Sequence, residues 1–215
     1  MDPITLVVLG ITIVATSVIA AINKYQEVKK KNNLIEKYID TLKTYAETYS
    51  FEQADIKIIN SCKVYLKNKF CNGYEQEFMK YTTIEDRKVF TQSIAYELAS
   101  IMGVKVDEII VENIGDYTRG ATVTEDGVIK IYLNEALMIA DPELLVKTIC
   151  HELKHCVQFQ SFTNNIWGYS DAKIASWLYS WEHYHSSDSP ESYLPYYYQI
   201  IEIDANKTTD LIFSK

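Results

Sequence analysis

The chain has 215 residues, 47% of them hydrophobic, which is enough for one ordinary domain with its own core plus a short extra segment. Its 29 acidic residues outweigh 21 basic ones, for a net charge of -8, and no basic patch or nucleic-acid motif interrupts that balance, so nucleic acid is excluded as an expected partner. The four cysteines form no CxxC pair, so the spacing does not suggest a structural zinc site made of thiolates.

The extra segment is N-terminal. Ile4 to Ile22 carries no charge and as a helix would be about 28 Å long, close to the thickness of a bilayer's hydrocarbon core. Lys24, Lys29, Lys30 and Lys31 follow it, so residues 1–23 are expected to be an uncleaved transmembrane anchor in contact with the lipid bilayer. The competing reading is a cleaved signal peptide, with Ala20 and Ala21 near the cut; the basic residues that open such peptides are missing, because only Met1-Asp2-Pro3 precede the run. The position of the lysines predicts a single-pass membrane protein with its body in the cytosol.

Residues 24–50 read as a juxtamembrane amphipathic helix, with Ile35, Tyr38, Leu42, Tyr45 and Tyr49 along one face. Residues 54–80 are expected to hold one or two helices broken around Cys71-Asn72-Gly73. Thr82 and Glu85 have the spacing of a capping box that opens a helix through Phe90, Ile94, Leu98 and Ile101, ending at Gly103. The period then changes. Val106 to Val111, Ala121 to Thr124 and Val128 to Leu133 are short β-rich runs, and Asp126-Gly127 between the last two is a hairpin turn signal. The predicted order is helix, small antiparallel sheet, helix, within one domain over residues 51–215.

The last of these helices carries the chemistry. Asp141, Pro142 and Glu143 supply an N-cap, a first-turn proline and a first-turn acid. Ten residues in comes His151-Glu152-Leu153-Lys154-His155. Histidines at i and i+4 share a helix face and reach one metal ion, with Glu152 beside them as a general base; this is the spacing of a zinc hydrolase. Cys150 and Cys156 flank the motif off that face and read as small buried hydrophobes.

A catalytic zinc takes a third protein ligand. A metzincin continuation is excluded, because Gln158 and Ser161 stand where its glycine and histidine would be. The candidates left are Asp171, Glu182, His183, His185, Asp188, Glu191, Glu202 and Asp204. Glu202 is favoured: it starts a helical segment on which Asn206 shares its face one turn on, placed to hold the far nitrogen of a ligating histidine, and Ala205 permits close packing.

His151 to His155 with Gln158, followed by Tyr198-Gln199 leading to Glu202-Ile203-Asp204-Ala205-Asn206, resembles the gluzincin zinc metallopeptidases over roughly residues 106–210. The resemblance implies an α+β, zincin-like fold and a zinc ion held by His151, His155 and Glu202. It also implies hydrolysis of peptide bonds in a peptide or protein substrate. By the same resemblance, Val128-Ile129-Lys130-Ile131-Tyr132-Leu133 is similar to the edge strand that pairs with an extended substrate. A Tyr or His commonly donates to the oxyanion in that family, and the candidates here are His183, His185 and Tyr198. Asn206 departs from the family, many members of which carry aspartate at that position. The alternative reading is a membrane-tethered zincin-fold binding protein without turnover.

Overall fold

A computed structural model describes Thr44 and residues 47–115, 118–184, 196–197 and 199–214. The chain divides into residues 1–48 and a compact unit from Tyr49 to Lys215. The expected anchor and nearly all of the expected juxtamembrane helix lie outside the described residues; of the latter, Thr44, Glu47 and Thr48 are helical and Tyr49 and Ser50 are not. Among the described residues no helix is long and apolar enough to cross a membrane.

The second unit is α+β, with seven helices and three strands among its described residues. Three helices come first: α1 (Gln53–Lys69), α2 (Tyr74–Met79) and α3 (Ile84–Met102). The break between α1 and α2 falls at Cys71-Asn72-Gly73, as expected, and Gly73 takes φ 96, a conformation that suits glycine. The cap of α3 is shifted one residue from the expected box: Thr83 accepts the Asp86 N–H. Two adjacent threonines face two adjacent acids here, so the pattern alone does not choose the register. Gly103 ends α3 in the left-handed region at φ 74.

The strands are β1 (Glu108–Glu112), β2 (Gly120–Glu125) and β3 (Val128–Asn134). Asp126 (φ 50) and Gly127 (φ 78) turn β2 back onto β3 as the Asp-Gly signal predicts. The expectation of an all-antiparallel sheet is corrected. The order is β1-β3-β2, and β1 runs parallel to β3. The reason lies in hydrophobicity: β3 buries Ile129, Ile131 and Leu133 and takes the centre, while β2 is only half buried along its length and takes an edge. Val128 to Leu133 is therefore not an edge strand.

After the short α4 (Leu137–Ala140) comes α5 (Pro142–Ser161), then α6 (Asp171–Glu182) and α7 (Ile200–Phe213). Asp141 caps α5 through the Leu144 N–H at 2.9 Å, and Pro142 occupies its first turn. Buried residues run along α5 on more than one face: Leu145, Val146, Ile149, Cys150, Leu153, Cys156 and Val157. It is the central helix, packed against β2 and β3 and against α3, α4, α6 and α7.

Candidate metal centre

His151 and His155 project from the same side of α5, and their Nε2 atoms face one another at 3.0 Å. Glu202, in the first turn of α7, brings its carboxylate between them: Oε2 lies 3.3 Å from His151 Nε2, and Oε1 lies 3.4 Å from His155 Nε2. These three side chains form a group able to hold a metal ion, with one ligand atom from each. Ligands of a tetrahedral zinc at ordinary bond lengths stand about 3.3 Å apart, so the spacing fits. The chemistry fits as well. Two ring nitrogens facing each other and a buried carboxylate oxygen, Glu202 Oε2, without a hydrogen-bond partner form a cluster that a cation would complete.

The electrostatics of the three groups are mutual. Burial opposes the charge on His155, but the Glu202 carboxylate beside it raises its pKa to about 9. Burial likewise opposes ionisation of Glu202, and the two imidazoles, His155 foremost, hold its carboxyl well below the usual carboxylate range.

Glu152 is buried beside this cluster, and its orientation is set by β2. Thr122 donates from Oγ1 to Glu152 Oε2 at 2.8 Å and lies 3.1 Å from the Glu152 carbonyl. Gly120 makes the approach possible: a Cβ there would stand 2.7 Å from Thr148 Cγ2 and 3.1 Å from both Cγ and Oε1 of Glu152. The Asn134 N–H donates to the Arg119 carbonyl, so in the β2–β3 ladder the alternate groups of Gly120, Thr122 and Thr124 point away from β3, along the outer side of β2. The expected edge strand is thus replaced by its hairpin partner.

Two adjoining cavities of about 370 and 500 Å³ share Gly120, Glu152, Tyr196 and Glu202. The first extends past Arg119, Lys147 and Asn206, and the second past Trp181, Tyr184 and the β2 backbone. Tyr184 donates to Glu202 Oε1 at 3.3 Å. Burial, with Glu202 nearby, raises the pKa of Tyr184 and Tyr196, so both phenols are neutral donors at neutral pH.

Of the expected oxyanion donors, His183 does not line either cavity: it caps the end of α6, stacked on Tyr179 at 4.2 Å with Nδ1 on the Tyr179 carbonyl at 2.8 Å. His185 and Tyr198 lie outside the described residues. Asn206 is half-buried and lines the first cavity along with His151, and the far nitrogen of His155 is engaged by Gln158 Oε1 at 2.9 Å. Sequence reasoning passed over Gln158, Thr122 and Tyr184, although Gln158 stood in the quoted pattern. The cysteines are as expected, free and buried at 150 and 156, with burial raising both thiols.

Comparison of the chain with protein-family models, with curated proteins and with solved structures gives no match.

Proposed function

We propose that this protein is a zinc-dependent peptidase held at a membrane by residues 4–22, with its catalytic domain in the cytosol. The observation that carries the reading is the convergence of His151, His155 and Glu202, with Glu152 held by Thr122 at the same cavity. Zinc in that group would acidify a water molecule and polarise the carbonyl under attack. Glu152 accepts the proton of the water and returns it to the leaving amine. Tyr184 and Tyr196, which line the cavity beside Glu202, take the place of His183 as donors to the developing oxyanion. An extended peptide adds to the outer side of β2, bonding to the main chain of Gly120 and Thr122, a mode that gives affinity without strict sequence choice. The resemblance to gluzincins over the HExxH helix and the Glu202 helix supports the same assignment.

The test is cleavage of a peptide library by the full chain before chelation, after chelation and after zinc is returned. Cleavage that is lost and then restored supports the reading. Zinc uptake without cleavage identifies instead the membrane-tethered binding protein.

A further inference from the structure

Gln158 sits three residues beyond His155 on α5, fully buried. Its Nε2 donates to the Ile201 carbonyl at 2.9 Å and to Asp204 Oδ2 at 2.8 Å, while its Oε1 lies 2.9 Å from His155 Nδ1. A main-chain carbonyl can only accept, so the edge of the amide facing Ile201 is the NH2 edge, and the oxygen faces the ring. A ring nitrogen opposite an amide oxygen carries the hydrogen. His155 therefore donates from Nδ1 and presents Nε2 toward His151 and Glu202.

Asp204 is fixed in turn. Lys154 Nζ lies 3.1 Å from its Oδ2 and Lys173 Nζ 3.4 Å from its Oδ1, and both lysines also reach Asp55, at 2.7 and 2.5 Å. Tyr49 adds a hydrogen bond to Asp204. Two lysines and two aspartates thus alternate around a buried ring that joins α1, α5, α6 and α7. Burial raises the Asp204 carboxyl well above the usual carboxylate range, and the two ammoniums, the phenol and the amide are the polar partners that surround it.

We infer that Gln158 is the positioning residue of the metal centre, holding His155 in the form that offers Nε2 to a metal, and that the Asp204, Lys154, Lys173 and Asp55 ring holds Gln158. This rests on the metal-site reading above. The chain of bonds has a direction, from His155 to Gln158 to Asp204, and a direction can be broken and restored. Gln158→Leu removes the acceptor of the ring N–H. Gln158→Glu keeps that acceptor but sets its second oxygen against two others, from Asp204 and Ile201. Gln158→Glu with Asp204→Asn supplies a donor at 204 again and moves one carboxyl group from position 204 to position 158.

The experiment measures zinc affinity of the full chain in detergent by competition with a chelator, together with heteronuclear NMR of the imidazole nitrogens in the cadmium-loaded protein. In the wild type, His155 is expected to bind metal through Nε2 with Nδ1 protonated and its N–H resonance downfield. Gln158→Leu should weaken zinc binding about 10 to 100-fold and move that resonance upfield. Gln158→Glu should also weaken binding, and the double variant should recover the part of the loss that arises at position 204, which a merely structural role would not produce. Ligation through Nδ1, wild-type affinity in Gln158→Leu, or a double variant no better than Gln158→Glu would overturn the inference while leaving the metal site standing. Should Gln158→Leu fail to fold, the wild-type spectrum and the double variant still decide. Absence of metal uptake by the wild type would overturn the metal-site reading and this inference together.

Discussion

Thr122 and Gly120 show how much of the site depends on single atoms. The Thr122 hydroxyl donates to Glu152 Oε2, and a hydrogen bond to a charged group is worth about 1.5–3 kcal/mol. Thr122→Val keeps the shape and removes that bond, so we expect zinc content to be unchanged and turnover to fall about 10 to 100-fold; equal losses of zinc and turnover would show that the strand, not the hydroxyl, matters. Gly120→Ala should cost about 1–3 kcal/mol of stability, read by urea unfolding, because the new methyl would meet Thr148 Cγ2 at 2.7 Å. A pH effect follows from His155. Without metal its pKa is raised to about 9, and a ligand imidazole must be neutral, so zinc binding displaces a proton at neutral pH. Apparent zinc affinity should then rise about tenfold per pH unit up to about pH 9 and flatten above it; affinity independent of pH would contradict this. None of these partners was legible in the sequence, since Thr122 is 30 residues from Glu152 and reads only as a strand residue.

Among the elements, α5 was the most legible, and its reading still left out its most unusual residue. The cap, the first-turn proline and the two-histidine face follow from local chemistry. Lys154 does not: it lies between the histidines, fully buried, with partners on α1 and α7 that are distant in sequence. The usable signal was the apolar surround of α5, since a lysine within a helix buried on all sides must be paired. Removing one member of a buried charge cluster leaves another uncompensated, so Lys154→Met should destabilise the domain by about 3–5 kcal/mol in urea unfolding. Lys154→Met with Asp204→Asn should recover part of that loss; simple additivity would deny the coupling. Asp55 sets the acid limit of the ring. Burial raises its carboxyl, but Lys154 and Lys173 bring it down to about 2, so its contribution is fully present above its ordinary value of 3.8 and is lost as pH falls through about 2. The sheet was legible as three strands and a hairpin but not as an order, because pattern shows which face of a strand is buried and not which neighbour it takes.

In the molecule as a whole, an N-terminal apolar run precedes a domain that begins at Tyr49. Tyr49 belongs with the domain because its phenol bonds to Asp204 and receives a bond from Lys173 at 2.7 Å. A chain lacking residues 1–43 should therefore be released from membranes and still take up zinc, whereas the full chain should resist carbonate extraction; full-length protein in the soluble fraction would remove the anchor from the account. The central claim is that His151, His155 and Glu202 hold zinc and that Glu152 does chemistry beside it. The most direct test places wild type and Glu152→Gln side by side, with zinc content and peptide cleavage measured on the same samples. Both should hold zinc, and the variant should cleave at least about 10²-fold more slowly, since the amide keeps the shape and removes the base. A variant within tenfold of the wild type, or a wild type that holds no zinc, would contradict the account.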